Sequence, residues 1–289
     1  MLRFVNLTLA GITDGMVFAA VALALVLIWR ATRIVNFAQG GMLMFTTFLA
    51  WTVVQHGGSY WLALAAALAS GLVLGAVVER LLIRRVEGGP PLNAVITTLG
   101  LLILLQAAAG MIWGGTPHSY PPAFTIRGFT RDLLLSPSDL FVVGAVAVVA
   151  IALLLLFRRT DVGLKMRAAA FAPEVARLLG VRVGRMLTLG WALAALVGSL
   201  AGVLIAPSVF VGPNQFDSVL VFGFTAAVIG GLDSPAGAIA GGVILGCALS
   251  YVSGYVSSDI VTLGAFAALI TILMIRPAGL FAGRAGRRV

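Results

Sequence analysis

The chain has 289 residues, 61% of them hydrophobic and 10% charged, with a mean hydropathy of +1.09. That balance excludes a soluble globular domain and points to an integral membrane protein. The net charge of +9 does not indicate a nucleic-acid partner, because the basic residues sit between apolar runs and not in a folded basic domain.

Crossing about 30 Å of hydrocarbon takes roughly 20 helical residues. Runs that qualify fall near 9–29, 38–55, 60–82, 92–113, 138–157, 187–206, 216–231, 236–254 and 258–275. They are continuous and not alternating, so the expected fold is all-α, a polytopic membrane helix bundle of eight or nine spans in one domain, 1–289. The first run ends at Arg30 and Arg33 with no small-residue cleavage site, so it reads as a retained span and not a signal peptide. Asp14, near its outer end, suits a gate or an interface-seeking carboxylate equally. Glu79 precedes Arg80 and is expected to pair with nearby basic residues.

Polar side chains interrupt the second and fourth runs. Asn36, Gln39 and Gly40, then Thr97, Thr98 and Gln106, are candidates for a solute pathway or gate, while interhelical hydrogen bonding explains them almost as well. His56 and His118 fall in outer loops with no metal spacing, and read as surface histidines. Trp29, Trp51, Tyr60, Trp61 and Trp113 lie near span ends, as an interfacial belt would.

After the fifth run comes a polar loop, 158–186. Its residues from Leu164 to Leu179 have high helix propensity, with Gly163 before them and Gly180 at their end. Pro173 favours two short helices over one rod. Ala168, Phe171, Val175 and Leu179 recur at helical spacing beside Arg167, Arg177 and Arg182. An amphipathic segment of this kind suits a lipid surface or a groove on a soluble partner alike.

Further on, VIGGLDSPAGAIAGGVILG (228–246) breaks a helix at Gly230, Gly231, Asp233 and Pro235, the pattern of a cavity lining or a joint. Asp217, Asp233 and Asp259 are expected to cap helix starts. Small-residue pairs at i, i+4 recur at Gly11/Gly15, Gly71/Gly75, Gly110/Gly114, Gly198/Gly202, Gly237/Gly241 and Gly242/Gly246, where backbones can approach closely. The single cysteine, Cys247, reads as a packing residue.

Of the 19 basic residues, Arg3, Arg127 and Arg131 fall on one side of the membrane and the rest on the other. The asymmetry places the N-terminus outside and the C-terminus in the cytoplasm. It requires an even number of crossings between the basic loop and the basic tail. The sequence has no P-loop, no HExxH and no GxSxG, so neither nucleotide hydrolysis nor an intramembrane hydrolase is encoded. A stand-alone secondary transporter or channel is the alternative reading, and it lacks carboxylates deep in the spans.

The pattern G-x-x-x-R-A-x-A-x-x-x-x-x-A-x-L-x-G-V, carried by Gly163, Arg167, Ala168, Ala170, Ala176, Leu178, Gly180 and Val181, resembles the coupling loop of the LivH-type permeases of branched-chain amino-acid ABC importers. RIVNFAQGGMLM (33–44), ITTLGLLILLQ (96–106) and the Gly-rich break extend the likeness along nearly the whole chain. The resemblance implies ABC importer permease architecture and a multi-pass subunit of a bacterial cytoplasmic (inner) membrane, with no catalysis and no cofactor of its own. ATP and Mg would sit on two ATP-binding cassette partners, beside a second related permease and an extracytoplasmic solute-binding protein. It makes Gly163, Arg167, Ala168, Ala170, Glu174, Ala176, Arg177 and Gly180 the coupling residues. This sequence departs from the family at Gln39, often His there, at Gly41, usually Glu, and near Phe171 and Ala172, usually acidic or amide.

Overall fold

In the computed structural model residues 1–124 and 136–281 are described, and all the apolar runs are helices. Helix α1 spans Leu2–Thr32, α2 Gln39–Gln55, α3 Tyr60–Val86, α4 Pro91–Trp113, α5 Pro137–Arg159 and α6 Asp161–Phe171. Then follow α7 Pro173–Leu178, α8 Val183–Val209, α9 Asp217–Gly230, α10 Pro235–Tyr255 and α11 Val261–Ile275. No strand occurs among the described residues. Arg127, Arg131, Arg284, Arg287 and Arg288 lie outside them.

Among the described residues six helices are long and apolar enough to cross a membrane: α1, α3, α4, α5, α8 and α10. The helices α2, α9 and α11, with 17, 14 and 15 residues, are shorter. At 1.5 Å per residue α9 covers about 21 Å. Because no breaker precedes the first apolar run, α1 begins at Leu2. Asp14 therefore lies about three turns inside the helix.

The contacts divide the chain into two compact units. The first takes in residues 1–26, 122–145 and 218–289. There α1 crosses α10 on glycine: a Cβ at Gly15 would stand 2.8 Å from the Gly242 carbonyl oxygen, and one at Gly11 2.6 Å from Cys247 Cα. Both small-residue pairs are thus spent on one close helix crossing, and Cys247 is part of its floor. Phe18, Val26, Ile229, Leu245 and Leu249 form the adjoining core.

The Gly-rich break is a tight helix hairpin. Gly231, at φ +93°, ends α9 in a conformation that only glycine adopts freely, and its carbonyl accepts from Ser234 N at 2.9 Å. Ser234 Oγ then accepts from Gly237 N at 3.0 Å and caps α10, ahead of Pro235 at its first position. The cap is Ser234 and not Asp233, which is one residue too early. Leu280 N donates to Ile229 O at 2.8 Å, so the segment after α11 closes over the turn. Asp259 does not cap either, since α11 starts after Ile260 with no side-chain cap.

The second unit comprises residues 27–121 and 146–217 and is organised around α8. Gly71 and Gly75 of α3 lie against Ala195, Ser199 and Trp191 of α8, while Gly198 and Gly202 of α8 lie against Gln39, Leu43 and Thr47 of α2. Trp191 is fully buried between them. The last turns of α3 contain a π-helical stretch, Glu79–Ile83. That wider turn brings residues five apart onto one face. Glu79, 1% exposed, accordingly pairs with Arg84 at 2.9 Å and not with Arg80, and accepts from Thr188 Oγ1 at 2.6 Å. Arg84 also donates to the Gly184 carbonyl, which ties α3 to α8.

Candidate functional site

The segment between α5 and α8 is built to sit on the bundle and present an outer face. Thr160 Oγ1 caps α6 by accepting from Gly163 N at 3.1 Å. The chain turns so sharply that a Cβ at Gly163 would meet Phe157 Cα at 2.6 Å, and only glycine lets α6 fold back on the end of α5. Ala172 breaks the helix, α7 restarts at Pro173, and Gly180 at φ +79° ends it. The two short helices expected from Pro173 are present.

Smaller residues hold the segment to the bundle, and most of the apolar face read in the sequence stays outside. The inward face is Gly163, Met166, Ala169 and Ala176, and Ala169 and Ala176 form a small core with Val183 and Leu187 of α8. Of the predicted face only Ala168 is partly buried against it, whereas Phe171, Val175 and Leu179 point outward. Three of the four positions read as a face for a lipid surface or a partner's groove are therefore open to one. Phe171, Leu178 and Leu179 are 93%, 88% and 77% exposed, a protruding apolar tip with Val175 beside it. Glu174 and Arg177 form an exposed i, i+3 ion pair at 2.8 Å, worth under about 1 kcal/mol. Arg167 is exposed and Ala170 half-buried. Close by, at the end of α3, burial raises the Glu87 carboxyl above its usual range, with the Glu79 charge adding to the effect.

The pathway candidates are placed in two groups that share no hydrogen bond among the described residues. Asn36 and Gln39 are fully buried: Asn36 Oδ1 accepts from Ala38 N at 3.0 Å, Asn36 Nδ2 donates to Gln39 Oε1 at 3.2 Å, and Gln39 Nε2 donates to Ala194 O at 3.3 Å. Together they fix the start of α2, with Gly40 buried beside them, against α8. Gly41 lies against Leu102, 3.1 Å from an added Cβ, so a longer side chain here would displace α4. On α4, Thr97 and Thr98 donate to Asn93 and Val95 carbonyls of their own helix. Gln106 donates to Asp217 Oδ1 at 2.8 Å, and Asp217 stands in the first turn of α9, where a carboxylate suits the positive helix end.

Sequence reasoning missed an aromatic cluster. His118 is half-buried and not a surface residue: it stacks on Trp51 with centroids 4.2 Å apart, and it exchanges two 2.8 Å backbone bonds with Val211. Trp113, at the end of α4, stacks on Phe48 at 4.8 Å and donates to Thr52. Tyr120 is buried beside Tyr60, and burial raises its hydroxyl above the usual range. The density of aromatics around 113–120 was the available signal.

With this geometry in view, the comparisons decide the family. The family model described as branched-chain amino acid transport system / permease component matches residues 7–276. The chain belongs to the branched-chain amino acid permease family. The LivH permease of the high-affinity branched-chain amino acid transport system of Escherichia coli is 27% identical, with 96% of each chain covered. The corresponding BraD permease of Pseudomonas aeruginosa is 27% identical, with 93% of each covered. Among solved structures, PsaBC from Streptococcus pneumoniae superposes with a TM-score of 0.52 at 16% identity, over 94% of this permease and 91% of that chain, a likeness of fold.

Proposed function

We propose that this permease is the membrane subunit of an ATP-driven importer that passes branched-chain or other hydrophobic amino acids, or small relatives such as urea and amides, delivered by an extracytoplasmic binding protein. It works with a second related permease and two ATP-binding cassette subunits, which hold the ATP and Mg. The chain itself hydrolyses nothing. The observation that carries the reading is the α6–α7 segment, anchored by Gly163 and a small buried core and ending in an exposed apolar tip. A lever of this form transmits a partner's motion to α8, and nucleotide shifts the equilibrium only through contacts that differ between the two states.

The distribution of arginine supports an outer N-terminus and a cytoplasmic coupling segment in a bacterial inner membrane. Nine crossings, with α2, α9 and α11 as short members, satisfy the parity between that segment and the basic tail. The Gly230–Pro235 hairpin and the buried Asn36–Gln39 lock are the elements we assign to gating, since the first joins helices through close backbone contact and the second through the Gln39 side chain on the Ala194 carbonyl.

The test is co-purification of the tagged permease from its native membrane. Leu178→Glu/Leu179→Glu, which alters only exposed positions, is expected to lose the ATPase subunits while keeping the second permease. Absence of any ATPase from the wild-type sample would overturn the assignment.

A further inference from the structure

A cavity of about 340 Å³ lies among the last turn of α1, the end of α5, helix α6 and the start of α8. Its size falls in the range of small-ligand sites, about 300–1,000 Å³. Arg30, Arg33 and Arg167 line it, none of the described lining residues is acidic, and the remaining described wall is apolar, including Phe157, Met166 and Phe171. The Arg30 guanidinium stands 6.0 Å from the centre of the Phe157 ring, and that of Arg33 5.7 Å from the Trp29 ring. Aromatic faces thus help to hold two of the three heads. Arg33 occupies φ +58°, where helices ordinarily end in glycine, with its N–H donating to Trp29 O at 2.8 Å. The chain keeps a long cation at a position whose backbone disfavours it.

We propose that this cavity holds the phosphate headgroup of an anionic phospholipid, with an acyl chain lying along the outer face of α5. Guanidinium groups offer paired donors that match phosphate oxygens. Exposed Ile151 and Leu154 follow one another at i, i+3 on α5, and the same step reaches Phe157 in the cavity wall. A free phosphate would engage the arginines and leave this apolar track uncovered, whereas a lipid covers both. Basic pockets between spanning helices on the cytoplasmic side bind anionic headgroups. The inference rests on the orientation proposed above, which puts this end of α1 in the cytoplasm. Because Arg167 belongs to α6, a bound lipid restrains the coupling segment.

Native mass spectrometry of the detergent-purified full transporter, titrated with phosphatidylglycerol or phosphatidylcholine, tests it. Wild type is expected to retain phosphatidylglycerol selectively. Retention falls about fivefold for each arginine changed to Gln, and roughly a hundredfold for Arg30→Gln/Arg33→Gln/Arg167→Gln. The triple Lys variant keeps the charge and retains most of the lipid, which separates loss of binding from loss of fold. Equal lipid retention by wild type and the triple Gln variant overturns the proposal. Displacement of the lipid by millimolar inorganic phosphate assigns the cavity to free phosphate and overturns the lipid. Unchanged lipid with lost ATPase subunits assigns it to an acidic partner segment and also overturns it. Arginine-dependent lipid retention by a wild type that carries no ATPase would leave this proposal standing and sink only the importer reading.

Discussion

Helices α8 and α4 are alike on paper: each is apolar, longer than 20 residues and marked by glycine. In the fold they part company, for 83% of the apolar stretch of α8 is buried against 22% of that of α4. The glycines of α8 meet neighbours, with Gly202 on Leu43 and Gly190 on Ala31. Gly100 and Gly114 at α4 face open space, and Gly110 has only Pro213 at 4.0 Å. A small-residue pair in a membrane helix therefore marks a surface able to take a close partner, without saying whether the partner is in the same chain.

Three substitutions press on that contrast. The largest effect is expected from Arg84→Ala, which strips the cation that joins α3 to α8 and leaves Glu79 buried and unpaired. Its cost is about 3 kcal/mol, at the lower end for a broken buried pair because Arg84 is itself partly exposed, read as a drop in the unfolding midpoint of the detergent-solubilised permease. Next comes Gly202→Leu, whose Cβ would stand 2.9 Å from the Leu43 carbonyl oxygen. Forcing α2 away costs about 1–3 kcal/mol in the same melt. Smallest is Gly100→Leu on α4, expected to move the isolated permease by less than about 0.5 kcal/mol. If Gly100→Leu destabilised the isolated chain as much as Gly202→Leu does, the distinction between the two helices would collapse. If it left the chain intact but prevented co-purification of the second permease, the open face of α4 would be the subunit contact.

Much of the fold was legible because long apolar runs in a membrane have little choice but to become helices. The break at Pro173 and the hairpin after Gly230 were legible for the same reason, as backbone chemistry acts locally. What escaped depended on one-residue offsets. Glu79 was expected to pair with a nearby basic residue, and the π-helical turn decides that it is Arg84. Capping fell to Ser234 in place of Asp233. The bond between Gln106 and Asp217 and the His118 stack join segments far apart in sequence, and no local pattern announces them.

The bond from Leu280 N to the Ile229 carbonyl has a consequence for biosynthesis. The acceptor is made about 50 residues before its donor, which at about 5–20 residues per second is a wait of some seconds on the ribosome. Throughout that interval the end of α9 carries a carbonyl without this partner, in surroundings where an unpaired group costs about 1–3 kcal/mol. The hairpin is thus sealed only when the chain is nearly finished. A nascent permease truncated at residue 275 should be caught by quality control with this turn still open.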